Sequence, residues 1–207
     1  MKSLKILFLL CLAVFIANAQ NYKSLDKPLQ DEKNSFIEAF SFACGACYNH
    51  HKFGTLAKVK EKLPWLSYKI YPYKNIKFGE EFARLYAYAD AQDRAKGLDG
   101  SAQNSLQHKL ADAYFVAIFE RKQSWQNSQS FYELGLKTLN ISQGELDKFL
   151  VSTQGKRIYN EYDKALFITS QYGGTPAFLV NGKYFIIMKN IHGLDEMVEV
   201  IKDASKK

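Results

Sequence analysis

Two cysteines three positions apart, Cys44 and Cys47, stand at a change of hydrophobic pattern, and that junction restricts the fold more than any other feature. Before them runs a short, aromatic-rich apolar stretch, Phe36 to Phe42 (FIEAFSF), of the length and composition of a buried strand. After them, Tyr48 to Leu63 repeats apolar residues at helical spacing (Phe53, Leu56, Val59, Leu63) until Pro64 stops the helix. Leu66 to Tyr71 (LSYKIY) then alternates like a strand. Strand, helix and strand in one short stretch predict a βαβ unit with its two strands parallel and the Cys-x-x-Cys at the strand-to-helix turn.

The rest of the chain changes period and returns. Helices are predicted around Phe82, Leu85, Tyr86 and Ala89, then around Leu106, Leu110, Tyr114, Val116 and Ile118, with a short one at Phe131 to Leu136. Ser142 and Glu145 have the spacing of a capping box opening a helix through Leu146, Phe149 and Leu150. Ile158, Tyr162, Ala165, Leu166 and Ile168 mark one long helix ending at Gly173-Gly174. Ala177 to Val180 and Lys183 to Met188 read as strands joined by Asn181-Gly182, a type I′ hairpin turn. A helix over Asp195 to Ala204 closes the chain, and the polar lead-in from Asn21 to Lys33 holds at most one short edge strand. No repeat or low-complexity linker interrupts this order. With 47% apolar and 24% charged residues, disorder and fibrous classes are excluded.

Residues 1–19 read as a secretory signal peptide rather than part of the fold. Lys2 and Lys5 precede an unbroken apolar run, Ile6 to Ile16, and Ala17-Asn18-Ala19 forms an A-x-A cleavage site. That run is too short to span a bilayer, whose hydrocarbon core of about 30 Å needs roughly 20 residues. Leu9 and Leu10 before Cys11 argue against a lipoprotein site. Cleavage after Ala19 removes Lys2, Lys5 and Cys11, and leaves 26 basic against 21 acidic residues, a net charge of +5, with Cys44 and Cys47 as the remaining cysteines. This modest charge has no arginine-rich stripe, so no nucleic-acid partner is expected.

The spacing gives the two cysteines a chemistry. At the first turn of a helix, positions i and i+3 share one side, within the roughly 4.4–6.8 Å between Cα atoms that a disulfide accepts. Unpaired N–H groups and the positive end of the helix dipole favour a thiolate at Cys44, the expected nucleophile. Cys47, one turn further in, is the expected resolving thiol. Gly45 and Ala46 leave room for a partner chain to approach. Two other readings stand beside this one. A structural disulfide across two residues would add little stability. A zinc site drawing on His50 or His51 would need four ligands in tetrahedral array, which one helical turn does not supply, so no metal is expected. No cofactor is implied.

A second motif, Gly173-Gly174-Thr175-Pro176-Ala177, precedes a strand. Together, FIEAFSFACGACYNH and GGTPAFLVNGKY, in that order with helices between, resemble the DsbA-like exported thiol–disulfide oxidoreductases of the thioredoxin superfamily. The resemblance spans nearly the whole chain after Ala19. It implies an α/β, thioredoxin-like fold, a central mixed β-sheet flanked by helices, with an inserted all-helical subdomain. On it the chain divides into a thioredoxin-like first part at 20–76, a helical insertion at 77–152 and a second thioredoxin-like part at 153–207. It also implies a cis Thr175–Pro176 bond facing the cysteines, with Thr175 and Pro176 binding substrate backbone. Glu38 matches the family's buried acidic residue, a proton relay to the second cysteine, although strand alternation would also permit it to face solvent. Lys69 on the next strand is its expected ionic partner and a tuner of the redox couple.

The chain departs from the family where Gly45-Ala46 replaces the usual Pro-His, which predicts a less stabilised thiolate and a weaker oxidant. His50 and His51 are expected to be exposed or capping rather than compensating. Thr175 stands where valine is common in the DsbA-like family, whereas threonine is seen in the related isomerase branch, and its hydroxyl is within reach of a cysteine sulfur. The expected activity is disulfide donation to unfolded or partly folded exported polypeptides in the periplasm by a monomer, reoxidised by a quinone-linked membrane oxidase of the DsbB type. The alternatives are a reductase or isomerase of the same fold, or a non-catalytic peptide-binding module with Phe42, Tyr48, Tyr172 and Tyr184 lining its groove.

Overall fold

The structure is a computed structural model that describes residues 21–207; the signal-peptide and cleavage-site expectations lie outside the described residues. Among these residues five strands form one mixed sheet in the order β1-β5-β4-β2-β3. The strands are β1 (Tyr22–Ser24), β2 (Ser35–Phe40), β3 (Ser67–Pro72), β4 (Ala177–Val180) and β5 (Tyr184–Ile186). As the βαβ pattern requires, β2 and β3 are parallel, and all other pairs are antiparallel. All six residues of β2 are buried, because it is flanked by strands on both sides and covered on both faces. Asn181 and Gly182 both have positive φ, 53° and 64°, as the hairpin turn demands.

Two apolar layers sandwich the sheet. On one face, Phe36, Leu56, Val59, Phe178, Met197 and Ile201 form a core under α2 (Thr55–Lys62) and α9 (Leu194–Ser205). Within it Phe36 and Phe178 stack at 5.6 Å. The larger core on the other side joins the sheet to the helical region: α3 (Gly79–Ala95), α4 (Leu106–Phe115), α5 (Ser128–Leu139), α6 (Gln143–Val151), α7 (Thr153–Glu161) and α8 (Asp163–Tyr172). The Ser142–Glu145 capping box that opens α6 is formed in both directions. A π-helical turn, Val116–Glu120, continues α4, a local irregularity often found beside functional sites.

Two elements expected to be continuous are broken. The helix after the cysteines divides into α1 (Gly45–Phe53) and α2 at Gly54, whose φ of 68° is left-handed. Its N–H bonds the His51 carbonyl at 3.0 Å, and the left-handed φ favours glycine there, since a side chain would be strained and would push Gln103 aside. The long helix expected around Tyr162 divides into α7 and α8, because two surfaces claim its halves. α7 packs on α3 and α6, whereas α8 packs on the sheet. At the break the Ala165 N–H bonds the Tyr162 carbonyl, a tightened turn, and the buried Tyr162 hydroxyl donates to Asp90 at 3.1 Å.

Candidate active site

Sheet register explains why residues 131 apart in sequence meet. Ala39 on β2 lies opposite Ala177 on β4, so the turn entering α1 and the Thr175–Pro176 segment emerge at the same end of the sheet. Cys44 is the N-cap of α1, in extended conformation, and its Sγ accepts from the Cys47 N–H at 3.1 Å. The Cys44 thiol donates to the Thr175 carbonyl at 3.3 Å, and the Thr175–Pro176 bond is cis. Both cysteines are free thiols; Cys44 is half-buried and Cys47 almost wholly buried.

Their acidities diverge for separable reasons. A hydrogen bond from the Cys47 thiol lowers Cys44 most. Partial burial opposes it, and the Thr175 side chain and the N–H groups of Cys47 and Ala46 add to the lowering, to about 6. Cys47 is pushed far above the usual thiol range, first by burial, then by its bond to Cys44 and by the nearby Glu38 charge. Glu38 is raised to about 8, by burial first and then by the Cys44 thiolate. At neutral pH the arrangement therefore holds one accessible thiolate, one buried thiol and one buried, protonated carboxyl. Glu38 and Cys47 line a single narrow cavity. Such a set can form and break a mixed disulfide and move a proton at the buried sulfur.

Known proteins match the chain over most of their length. The thiol:disulfide interchange protein DsbL of Lelliottia amnigena is 29% identical over 193 residues, covering 90% of this chain and 86% of that protein. The thiol:disulfide interchange protein DsbA of Salmonella typhi is 30% identical over 195 residues, covering 88% and 81%. The crystal structure of Salmonella enterica serovar Typhimurium DsbL superposes with a TM-score of 0.82 at 25% identity, over 91% of this chain and 96% of that one. The chain belongs to the DsbA-like family. It is a thiol:disulfide oxidoreductase with a thioredoxin-like fold and a helical insertion. No protein-family model matches the sequence.

Within this DsbA-like frame, Cys44, Cys47, Thr175, Pro176 and the buried Glu38 converge at one end of the sheet. Gly45 and Ala46 are exposed beside them. The pairing expected between Lys69 and Glu38 is not formed. Glu38 lies opposite Ile70 and Lys69 opposite Ile37, so strand alternation places the two side chains on opposite faces of the sheet. Lys69 instead bonds Glu32 at 2.7 Å, where Tyr71 also donates at 2.7 Å and Lys164 adds a second cation. Burial alone would raise Glu32, but the bonds from Lys164, Lys69 and Tyr71 outweigh it and hold its carboxyl below the usual range. Glu32 went unrecognised in the sequence because a single acidic residue in a polar lead-in carries no periodic signal.

The aromatic groove also requires correction. Phe42, Tyr48 and Tyr184 are buried. Phe42 packs on Phe82 and Phe131, Tyr48 stacks on Phe119, and Tyr184 meets Tyr22 edge-on, so none is free to line a surface. Tyr172 is partly buried against Phe185. The groove that does flank Cys44 has a volume of about 540 Å³ and is bordered by Tyr73, Ile76, Leu166 and Thr175. His50 and His51 are half-buried rather than exposed. His50 Nδ1 lies 2.9 Å from Thr55 Oγ1, and the His51 ring stacks on His108. Among the described residues no group of three or more His, Cys, Asp or Glu side chains is placed to hold a metal ion, and no helix is long and apolar enough to cross a membrane.

Proposed function

We propose that this DsbA-like protein acts as an oxidase, donating its Cys44–Cys47 disulfide to unfolded or partly folded exported polypeptides. A substrate thiolate attacks Cys44 Sγ, the Cys44–Cys47 bond breaks, and the electron pair leaves on Cys47, which takes a proton from Glu38. A second substrate thiolate then attacks the substrate sulfur of the mixed disulfide, closing the substrate's disulfide and releasing Cys44 as thiolate. Thr175 and Pro176 hold the substrate backbone, and the groove beside Leu166 and Ile76 receives flanking side chains. Gly45 and Ala46 keep the approach open.

The lowered pKa of Cys44, about 6, carries this reading. Stabilising the thiolate stabilises the reduced protein, which makes its disulfide a stronger oxidant. In the same reading the chain is exported to the periplasm with cleavage after Ala19. It works as a monomer built from a thioredoxin-like unit (20–76 and 153–207) and a helical insertion (77–152), and is reoxidised by a membrane oxidase of the DsbB type. The reduction potential, measured by equilibration with glutathione, tests the direction. A value near that of protein disulfide isomerase, about −180 mV, or higher supports donation. A value near thioredoxin's, about −270 mV, replaces the oxidase with a reductase. Cys44→Ser retaining full activity would instead assign the fold a non-catalytic binding role.

A further inference from the structure

The exchange step leaves a proton to be moved at a place that bulk water reaches poorly. Cys47 and Glu38 are both buried, yet each turnover requires one proton to reach Cys47 as it leaves and one to depart when the protein is reoxidised. The cavity they share is lined also by His50, Gln107, His51 and His108. Its volume of about 40 Å³ has room for a few water molecules, at roughly 10–15 Å³ each. Gln107 is 3% exposed, and its amide oxygen has no partner among the described residues, as suits a wall group that accepts from water.

Two imidazoles stand side by side in the cavity wall. The rings of His51 and His108 stack at 4.0 Å, and His51 Nε2 lies 3.3 Å from Asp112 Oδ1. The Asp112 carboxylate is half-exposed. His108 borders both the internal cavity and a surface hollow lined by Asn104, Lys109 and Asp112. Gln103 also borders both, so among the residues shared by the cavity and the hollow His108 is the titratable one.

We propose that the His51–His108 pair is the proton port of the active site, passing protons between solvent at Asp112 and cavity water at Glu38 and Cys47. It rests on the exchange mechanism proposed above and adds the route. When Cys47 leaves as thiolate, Glu38 protonates it, and cavity water reprotonates Glu38 with a proton drawn through His108 and His51. On reoxidation the same proton returns outward, so no proton is gained or lost over a cycle. The charged and titratable groups facing the pair are Asp112 and Lys109 on α4, His50 on α1, and Glu38 and Cys47 across the cavity. Burial and the adjacent imidazole hold His51 down to about 4, so it is neutral at working pH and can accept on one nitrogen while donating from the other.

The test compares a plug with an opening. His108→Phe fills the gap with a ring that cannot pass a proton, and His108→Ala leaves space for water or added imidazole. The reaction of each oxidised variant with a dithiol peptide is followed from pH 5.5 to 8 in H₂O and D₂O, with iodoacetamide alkylation of reduced Cys44 as the control. The expected result is a loss of about tenfold or more for His108→Phe with an enlarged solvent isotope effect, recovery in His108→Ala with imidazole, and unchanged Cys44 alkylation in both. Wild-type rates in His108→Phe would overturn the proposal. So would a His108→Ala variant as slow as His108→Phe with imidazole present, which would mean damaged packing. Failure of the underlying exchange mechanism would look different: the wild-type protein itself would form no mixed disulfide.

Discussion

Replacing Glu38 by glutamine removes an ionisable group from the interior and keeps its shape, so stability should report its acidity directly. Glu38 is raised from 4.5 to about 8 by burial and by the neighbouring Cys44 thiolate. Below pH 4.5 the carboxyl is neutral in both folded and unfolded chains and costs nothing. Above 4.5 the unfolded chain releases the proton while the folded one retains it, so stability falls as pH rises, until the folded group also ionises near 8. At 1.36 kcal/mol per pH unit, the penalty reaches about 3 kcal/mol at pH 7 and about 5 kcal/mol above pH 8. Glu38→Gln should therefore match wild type near pH 4.5 and exceed it by about 3 kcal/mol at pH 7, or roughly 6–12 °C in Tm for a chain of this size. Urea unfolding of the reduced proteins at pH 4.5, 6, 7 and 8 measures this. Oxidising the cysteines removes the Cys44 charge and lowers the folded Glu38 value, so in the disulfide form the wild-type stability loss should level off at a lower pH, while the part due to burial remains. The same substitution should slow exchange without loss of fold, because the proton donor to Cys47 is gone. Parallel stability curves for the two proteins would show that Glu38 titrates normally, and the relay would fall with it.

Two further outcomes follow from the geometry. Thr175→Val removes the hydroxyl beside Cys44 but leaves the carbonyl, so the Cys44 ionisation midpoint, read from thiolate absorbance, should rise above about 6; an unchanged midpoint would exclude Thr175 from stabilising the thiolate. Glu32→Ala strips two lysines and Tyr71 of a fully buried acceptor and should cost roughly 2–4 kcal/mol in denaturant unfolding at pH 7. Because Glu32 is held below its ordinary range, that stabilisation should be present above the unfolded pKa and fade in wild type as pH falls through the folded value, narrowing the gap to the variant in acid.

What was legible in the sequence is what local pattern can encode. The aromatic run of β2, the helical spacing after Cys47, the Ser142–Glu145 box and the Asn181-Gly182 turn each specify structure within a few residues, and each produced its element, although the helix after Cys47 divides in two. Gly54 was visible as a residue but not as a break, because apolar spacing on both sides of it is compatible with one helix. Tyr162 carried no breaking residue at all, and the turn there exists because the sheet and the helical layer each take one half of the segment.

By itself, then, the sequence determined the order of elements and placed two thiols at a helix N-terminus, where N–H groups favour ionisation of the first. Tertiary structure alone decided which charges meet. Lys69 and Glu38 lie on adjacent strands, yet parallel register and side-chain alternation send them to opposite faces, and Glu32 from the lead-in takes the lysine. The docking of α4 against α1 likewise brings His108 onto His51, two residues whose proximity no periodicity announces. The physical reason is the same in both cases: periodicity fixes which face of an element a side chain occupies, but its partner depends on which other element covers that face.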